Sequence, residues 1–409
     1  MRILHTSDWH LGRSLEGRDR TDEQEEFIAE MCDIAEKEKV DLILISGDIF
    51  DSPNPPAKAE QLFYQGLYEL AQGGRRGVIA IAGNHDNPER LKASDPLAEQ
   101  LGITLLGLPK DQALVSKRSS DGVRRLAAGP GWLEVVVPSC DHSAVIITLP
   151  YPSEQRLKEI LVEELDEEVL QKNYSERVGA IFRNLTRYYR NDSINLCMSH
   201  LFIRGGKESD SERPIQLGGS PTVDTEMLPI NAQYIALGHL HRPQRVGALE
   251  HARYSGSPLS YSFSEAGQIK VAYLVDCVPG QKAEVREIPL VSGRPLVKWE
   301  AQFGLEQVLK WCEENRDPRA WIDLLIYMDK PLSLSEIKQL KEIRPEIINI
   351  RPILKNEQAK SIILENRINL PIDQLFRQFY QKNYQIEPSP ELIKLFLELL
   401  VDEKEGEAS

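Results

Sequence analysis

Through its first hundred residues the chain alternates short apolar runs with longer amphipathic stretches. Arg2–Ser7 is a brief apolar run that closes on polar side chains. Thr21–Lys39 repeats apolar residues at helical spacing, with Phe27, Ile28, Met31, Ile34 and Ala35 on one side. Val40–Ser46, read VDLILIS, is apolar almost throughout, as a strand covered on both faces is. Pro56–Gln72 reads as a helix and Gly77–Ala82 as a second covered strand. Asn87 followed by Pro88 has the form of an N-cap with proline at the first helical position, and predicts a helix running to Gln100. This βαβαβ rhythm predicts a layered α/β domain.

Further strands are predicted at Leu133–Val137, Ala144–Leu149, Ile194–Met198, Tyr234–Leu237, Ala252–Gly256, Ile269–Asp276 and Glu284–Pro289. Helices are predicted at Glu154–Gln171 and Ser175–Tyr189. The later strands follow one another with few helices between them, so this half is expected to lean antiparallel. Two sheets flanked by helices accommodate both halves. Near Val291–Arg294 the pattern changes. Strands at Leu296–Gln302, Ala320–Met328 and Ile347–Lys355, with helices at Gly304–Asn315 and Ser333–Ile343, predict a compact second α/β domain. After Ile363 come a polar stretch, helices at Ile372–Gln381 and Pro388–Val401, and an acidic tail. The expected divisions are 1–290, 291–363 and 364–409.

Composition narrows the class. The chain has 409 residues, 41% hydrophobic and 27% charged, as in an ordinary soluble protein of more than one domain. No run approaches the ~20 apolar residues of a membrane span. Asp8 and His10 interrupt the N-terminus before a signal-peptide core can form, so a cytoplasmic location is expected. The five cysteines are scattered without a C-x-x-C pair, which argues for single thiols rather than a disulfide frame or a zinc finger. The net charge of −14 disfavours a nucleic-acid-coating protein, yet leaves room for a local basic track.

The chemistry lies in clusters at the ends of predicted strands: Asp8-Trp9-His10, Gly47-Asp48-Ile49-Phe50-Asp51, Gly83-Asn84-His85-Asp86 and Gly238-His239-Leu240-His241, with His200 closing a fifth strand. Open α/β sheets bind ligands outside the carboxyl ends of their strands, so these distant segments are expected to converge. Carboxylate, imidazole and amide oxygen suit divalent ions such as Mn²⁺, and the lack of cysteine argues against structural zinc. The set is too large for one ion and suits two.

In order and spacing these clusters resemble the metallophosphoesterase signature D-x-H, G-D-x-x-D, G-N-H-D, H, G-H-x-H over roughly residues 1–260. The opening MRILHTSDWHLGR, with GDIFD and AGNHD, is similar to the nuclease subunits of bacterial SbcCD-type DNA-repair complexes. The resemblance implies a two-sheet sandwich flanked by helices, a small α/β capping domain that grips DNA, and C-terminal helices that dock on a partner. It implies two divalent ions, Mn²⁺ favoured and Mg²⁺ the alternative. Asp8, His10, Asp48 and His241 would hold one, and Asp48, Asn84, His200 and His239 the other. His85 would face the scissile phosphate, while Asp51 and Asp86 would orient the ligands. The implied activity is a 3′–5′ double-strand exonuclease and a single-strand or hairpin endonuclease in DNA repair, replication and recombination. The implied partner is an SbcC-type, SMC-like ATPase, with the nuclease as a homodimer inside a heterotetramer. This chain has no G-x-x-x-x-G-K-S/T motif, so ATP use requires another subunit. Apolar stripes including Leu375, Phe376, Phe379, Leu392, Ile393, Phe396, Leu397 and Leu400 are the expected docking surface.

Blander readings compete. His5 reads as packed or hydrogen-bonded, His142 and His251 as structural, and Trp9 as packing beside the site. Arg13, Arg18, Arg204, Lys207 and Arg242 flank the motifs and are the expected contacts to DNA phosphates; solvated loop charge is the alternative. An enzyme for a small phosphodiester or a phosphoprotein, and a scaffold with a decayed site, are the competing functions.

Overall fold

The computed structural model describes residues 1–116, 121–157, 173–212 and 222–354, with isolated positions between 374 and 393. Met1–Val297 with Arg319–Trp321 forms one compact unit, and a second begins at Lys298 and resumes at Ile322. The first unit carries strands β1 (Arg2–Thr6), β2 (Leu42–Ser46), β3 (Gly77–Ile81), β4 (Ile103–Leu106), β5 (Arg124–Gly129), β6 (Trp132–Val136), β7 (Ala144–Leu149), β8 (Ile194–His200), β9 (Tyr234–Gly238), β10 (Gln244–Val246), β11 (Leu249–Tyr254), β12 (Val271–Asp276) and β13 (Glu284–Pro289). Its helices are α1 (Thr21–Lys37), α2 (Ala57–Ala71), α3 (Pro88–Lys92), α4 (Asp95–Ala98) and α5 (Tyr174–Leu185).

Two sheets stack. The first has the order β13-β12-β1-β2-β3-β4, and the second β10-β11-β9-β8-β7-β6-β5. The alternation inside each strand builds the layers, because successive side chains point to opposite faces. In β2, Leu42 and Leu44 join Ile3, Ile79 and Ile81 against Ile146, Leu196 and Met198 of the second sheet. Ile43 and Ile45 point the other way, onto Phe27, Met31, Phe63 and Leu67 of α1 and α2. The far face of the second sheet is covered by Val178, Phe182 and Leu185 of α5. Truncating a core aromatic such as Phe27 to alanine costs about 3–5 kcal/mol in such settings.

Two sequence readings need correction. The second sheet is not mainly antiparallel: β7, β8, β9 and β11 run parallel, and antiparallel pairing is confined to β5–β6–β7 and β10–β11. Long irregular crossovers connect several of these strands, so helix count misjudged their direction. The helix expected from Asn87 to Gln100 is broken. Asn87 caps α3 as read, its side chain accepting from the amides of Glu89 and Arg90. The chain restarts at Asp95 because Pro96 has no amide hydrogen and disfavours helical backbone in the residue before it. Strands β4, β5 and β10 were not foreseen.

The second unit pairs β14 (Leu296–Ala301), β15 (Trp321–Met328) and β16 (Ile347–Leu354) in that order, with α6 (Leu305–Glu313) and α7 (Leu334–Ile343) between them. Strands β15 and β16 are parallel. The helix predicted at Glu154–Gln171 is seen from Glu154 to Leu157, and its remainder lies outside the described residues. The same holds for 355–363 and, apart from isolated positions, for the two C-terminal helices and the acidic tail.

Candidate metal centre

The carboxyl ends of β1, β2 and β3 in the first sheet and of β8 and β9 in the second open toward one another. Each carries one of the clusters read from the sequence. The chain leaves three of these strands through left-handed backbone: Asp8, His10, Asp48 and His239 all have positive φ, between 45° and 109°. Non-glycine residues rarely adopt this conformation, and their gathering at one place marks a site that the surrounding fold holds under strain. Backbone bonds tie the loops together, with the Asp8 amide donating to the Gly47 carbonyl at 2.9 Å and the His10 amide to the Asp48 carbonyl at 3.0 Å. Two glycines permit the close approach. A Cβ at Gly47, where φ is +90°, would lie 2.3 Å from His200 Nδ1, and one at Gly83 would lie 2.1 Å from Asp48 Oδ1.

Three groups of potential ligand atoms result: Asp48, His200 and His239; Asp8, His10 and His241; and His10, Asp51 and His85. Within each group the atoms lie within 4.8 Å of one another. Asn84 completes the first, its Oδ1 lying 2.9 Å from His200 Nε2 and 3.0 Å from His239 Nδ1. His200 Nδ1 sits 2.9 Å from the Ser46 carbonyl and must donate to it, so Nε2 of the neutral ring carries a lone pair. That lone pair faces Asn84 Oδ1 and, at 3.3 Å, Asp48 Oδ2, both of which are acceptors. In the second group His10 Nε2 and His241 Nε2 face each other at 3.0 Å. Acceptors crowded in this way need a cation among them.

The titration behaviour expresses the same need. Burial alone would weaken the charge on His200, but Asp48 beside it raises the pKa to about 9. Burial likewise disfavours the Asp48 charge, yet His200, His85 and His10 together hold it well below the usual carboxylate range. Asp8 is pushed up to about 7 by burial, against the pull of His200. His239 is lowered to about 3 by burial and by the neighbouring His200. A proton at His200 does in the metal-free chain what a divalent ion does better. The donors are carboxylates, imidazoles and an amide oxygen without a thiol, and His10 Nδ1 is buried without a hydrogen-bond partner. The set fits divalent ions of the Mn²⁺ or Mg²⁺ type.

The supporting residues are partly those expected. Asp86 accepts from the amides of Gly83, Ile49 and Phe50 at 2.8–3.1 Å, locking the β2 and β3 loops together. Asp51 lies half-buried, 3.5 Å from His10 Nδ1 and 3.4 Å from Arg13. His85 donates from Nδ1 to the Asp51 carbonyl at 2.8 Å, which puts the lone pair of the neutral ring on Nε2. Trp9 is fully buried edge-on to Phe27 and Phe63. His5 is bonded to the Tyr234 hydroxyl.

Other residues were invisible to motif reasoning. Ser211 and Glu212 hold His241, Ser7 donates to Asp8, and the buried Lys270 donates to the His241 carbonyl. No local pattern announces them, since nearly all act across a large sequence gap. The basic residues divide. Arg18, Arg204, Lys207 and Arg242 are exposed, and Arg204 pairs with Asp224 at 3.0 Å. Gln244 bonds the backbones of Lys207 and Arg242 and draws them together. Arg13 differs from a free phosphate contact: it donates to the Ser211 carbonyl at 2.8 Å and packs over the Tyr261 ring. Arg20, another basic residue after the first motif, is buried against Glu23.

Residues 1–243 match the calcineurin-like phosphoesterase family, and the chain belongs to that family. Over 410 aligned residues, covering 100% of both chains, it is 44% identical to the SbcD subunit of the SbcCD nuclease of Bacillus subtilis (strain 168). The SbcD protein of Escherichia coli (strain K12) is 28% identical over 399 residues, 92% of each chain. That of Rhodobacter capsulatus is 32% identical over 320 residues, 74% of this chain and 72% of the relative. Within the phosphoesterases the chain therefore groups with the SbcD nuclease subunits.

Proposed function

We propose that this chain is a metal-dependent DNA nuclease that hydrolyses phosphodiester bonds as the nuclease subunit of an SbcCD-type complex. The observation that carries the reading is the convergence of five strand ends on one buried set of mutually facing acceptors. Asp8, His10, Asp48 and His241 would hold one ion, and Asp48, Asn84, His200 and His239 the other, with Asp48 common to both. Two bound divalent ions supply Lewis acidity toward the phosphate and an activated water. His85 Nε2 holds the proton that reaches the leaving oxygen, and the bond from Nδ1 to Asp51 keeps the ring oriented. Asp51 and Asp86 hold the ligand loops in place.

The exposed Arg18, Arg204, Lys207 and Arg242 serve as phosphate contacts of the strand. Mn²⁺ is the favoured ion. The relatives are named as one part of a two-part nuclease, and this chain lacks the ATP-binding motif. Both points support an SMC-like ATPase as partner, docked on the C-terminal helices. A homodimer inside a heterotetramer, acting in DNA repair in the cytoplasm, completes the reading. Among the described residues no helix is long and apolar enough to cross a membrane.

The test is cleavage by the purified chain of hairpin, blunt duplex and single-stranded DNA in Mn²⁺, with and without the ATPase. DNA cleavage that EDTA abolishes and Mn²⁺ restores is expected. Hydrolysis of an aryl phosphodiester with none of the DNA substrates cut would instead assign the site to a small ester.

A further inference from the structure

His241 is held at every polar handle it has. Its ring Nδ1 lies 2.5 Å from Ser211 Oγ. Its amide donates to Glu212 Oε1 at 2.8 Å. Its carbonyl accepts from Lys270 Nζ at 3.0 Å and from the Ser257 amide at 3.1 Å. Each support is itself anchored. Glu212 Oε2 accepts from both the amide and the hydroxyl of Ser209, and the Ser211 carbonyl accepts from Arg13. Lys270 is buried against Glu265, which is fully buried, and also donates to Ser257 Oγ. Ser211 is itself almost fully buried, so its hydroxyl has no ready substitute in solvent.

We propose that Ser211, Glu212 and Lys270 are positioning residues that cradle His241 and tune one of the two metal positions, the one shared with Asp8 and His10. The inference rests on the two-ion reading above. A hydroxyl accepting from Nδ1–H fixes the tautomer that leaves Nε2 as the ligand atom, and it fixes the ring plane at the same time. The other metal position receives no such support from this segment: His200 is oriented by a strand carbonyl and His239 by Asp8. Loss of the cradle therefore weakens one ion and spares the other, which a merely structural role would not do.

The experiment is a calorimetric titration of the metal-free full-length chain with Mn²⁺, comparing Ser211→Thr with Ser211→Val. These side chains have nearly the same shape and differ in the hydroxyl. Wild type and Ser211→Thr should take up two ions with matching affinities. Ser211→Val should keep one affinity and weaken the other about 10–100-fold. Wild-type affinities at both positions in Ser211→Val, or equal weakening of both, would overturn the cradle while leaving the two-ion reading intact. A wild-type chain that takes up fewer than two ions would overturn both. Should the valine variant fail to fold, as its metal-free melting transition would reveal, Glu212→Ala carries the test with the same selective loss expected.

Discussion

The two halves of the centre are built by different means. The half formed by Asp48, Asn84, His200 and His239 stands directly on strand ends. Its rings are oriented by the Ser46 carbonyl and by Asn84, and its close packing is permitted by Gly47 and Gly83. The half formed by Asp8, His10 and His241 depends on side chains from elsewhere: Ser7, Ser211, Glu212 and Lys270. Strand-end geometry is repeated by any chain with the right local sequence. Support across a loop requires a tertiary fold to exist first. The comparison teaches that one half is coded by its motifs and the other by motifs plus a separate frame.

The sharpest way to break the comparison is to remove the residue the halves share. Asp48→Ala should lower occupancy of both positions and reduce cleavage by about three orders of magnitude, as losing a central electrostatic group does. Normal uptake of two ions, measured by elemental analysis, would contradict the bridging role. His85 belongs to neither half as a ligand. His85→Ala should retain both ions yet lose about 10²–10⁴-fold in cleavage rate, the scale of a lost general acid. Depleted metal in that variant would move His85 into the ligand set.

Proton release separates the halves by pH. In the metal-free chain His200 loses its proton at about 9 and Asp8 at about 7. Binding requires both groups deprotonated, so affinity falls as pH falls below each value. Between pH 9 and 7 the position containing His200 should weaken roughly tenfold per unit, while the one containing Asp8 holds steady. Below 7 both should weaken. A titration series in which the two positions track each other across the whole range would show that the halves are not protonated independently. The smallest effect is expected of Gly83→Ala. The new Cβ pushes on Asp48 Oδ1 and should lower stability by about 1–3 kcal/mol, read from denaturant unfolding. An unchanged midpoint would mean that the loop yields without cost.

Much of this was legible in the sequence. VDLILIS announced a covered strand because both faces of β2 are apolar, and the same run places Asp48 at its carboxyl end. The seven proposed ligands were legible because nearly all sit beside a strand terminus with a glycine or another ligand close by in sequence. Direction in the second sheet was not legible, since β8 and β9 are joined by a long connection that carries no periodic signal. Nor was the break after Lys92, where two proline effects had to be weighed against an unbroken polar pattern. Ser211, Glu212 and Lys270 were hidden for a deeper reason. Their partners lie roughly thirty residues away, at separations no local period encodes.

The most direct measurement is anomalous diffraction at the manganese edge from crystals of the chain grown with Mn²⁺. Two peaks are expected, both in contact with Asp48, one also with His10 and His241 and the other also with His200 and His239. A single peak, or peaks away from these side chains, would contradict the paired-ion centre.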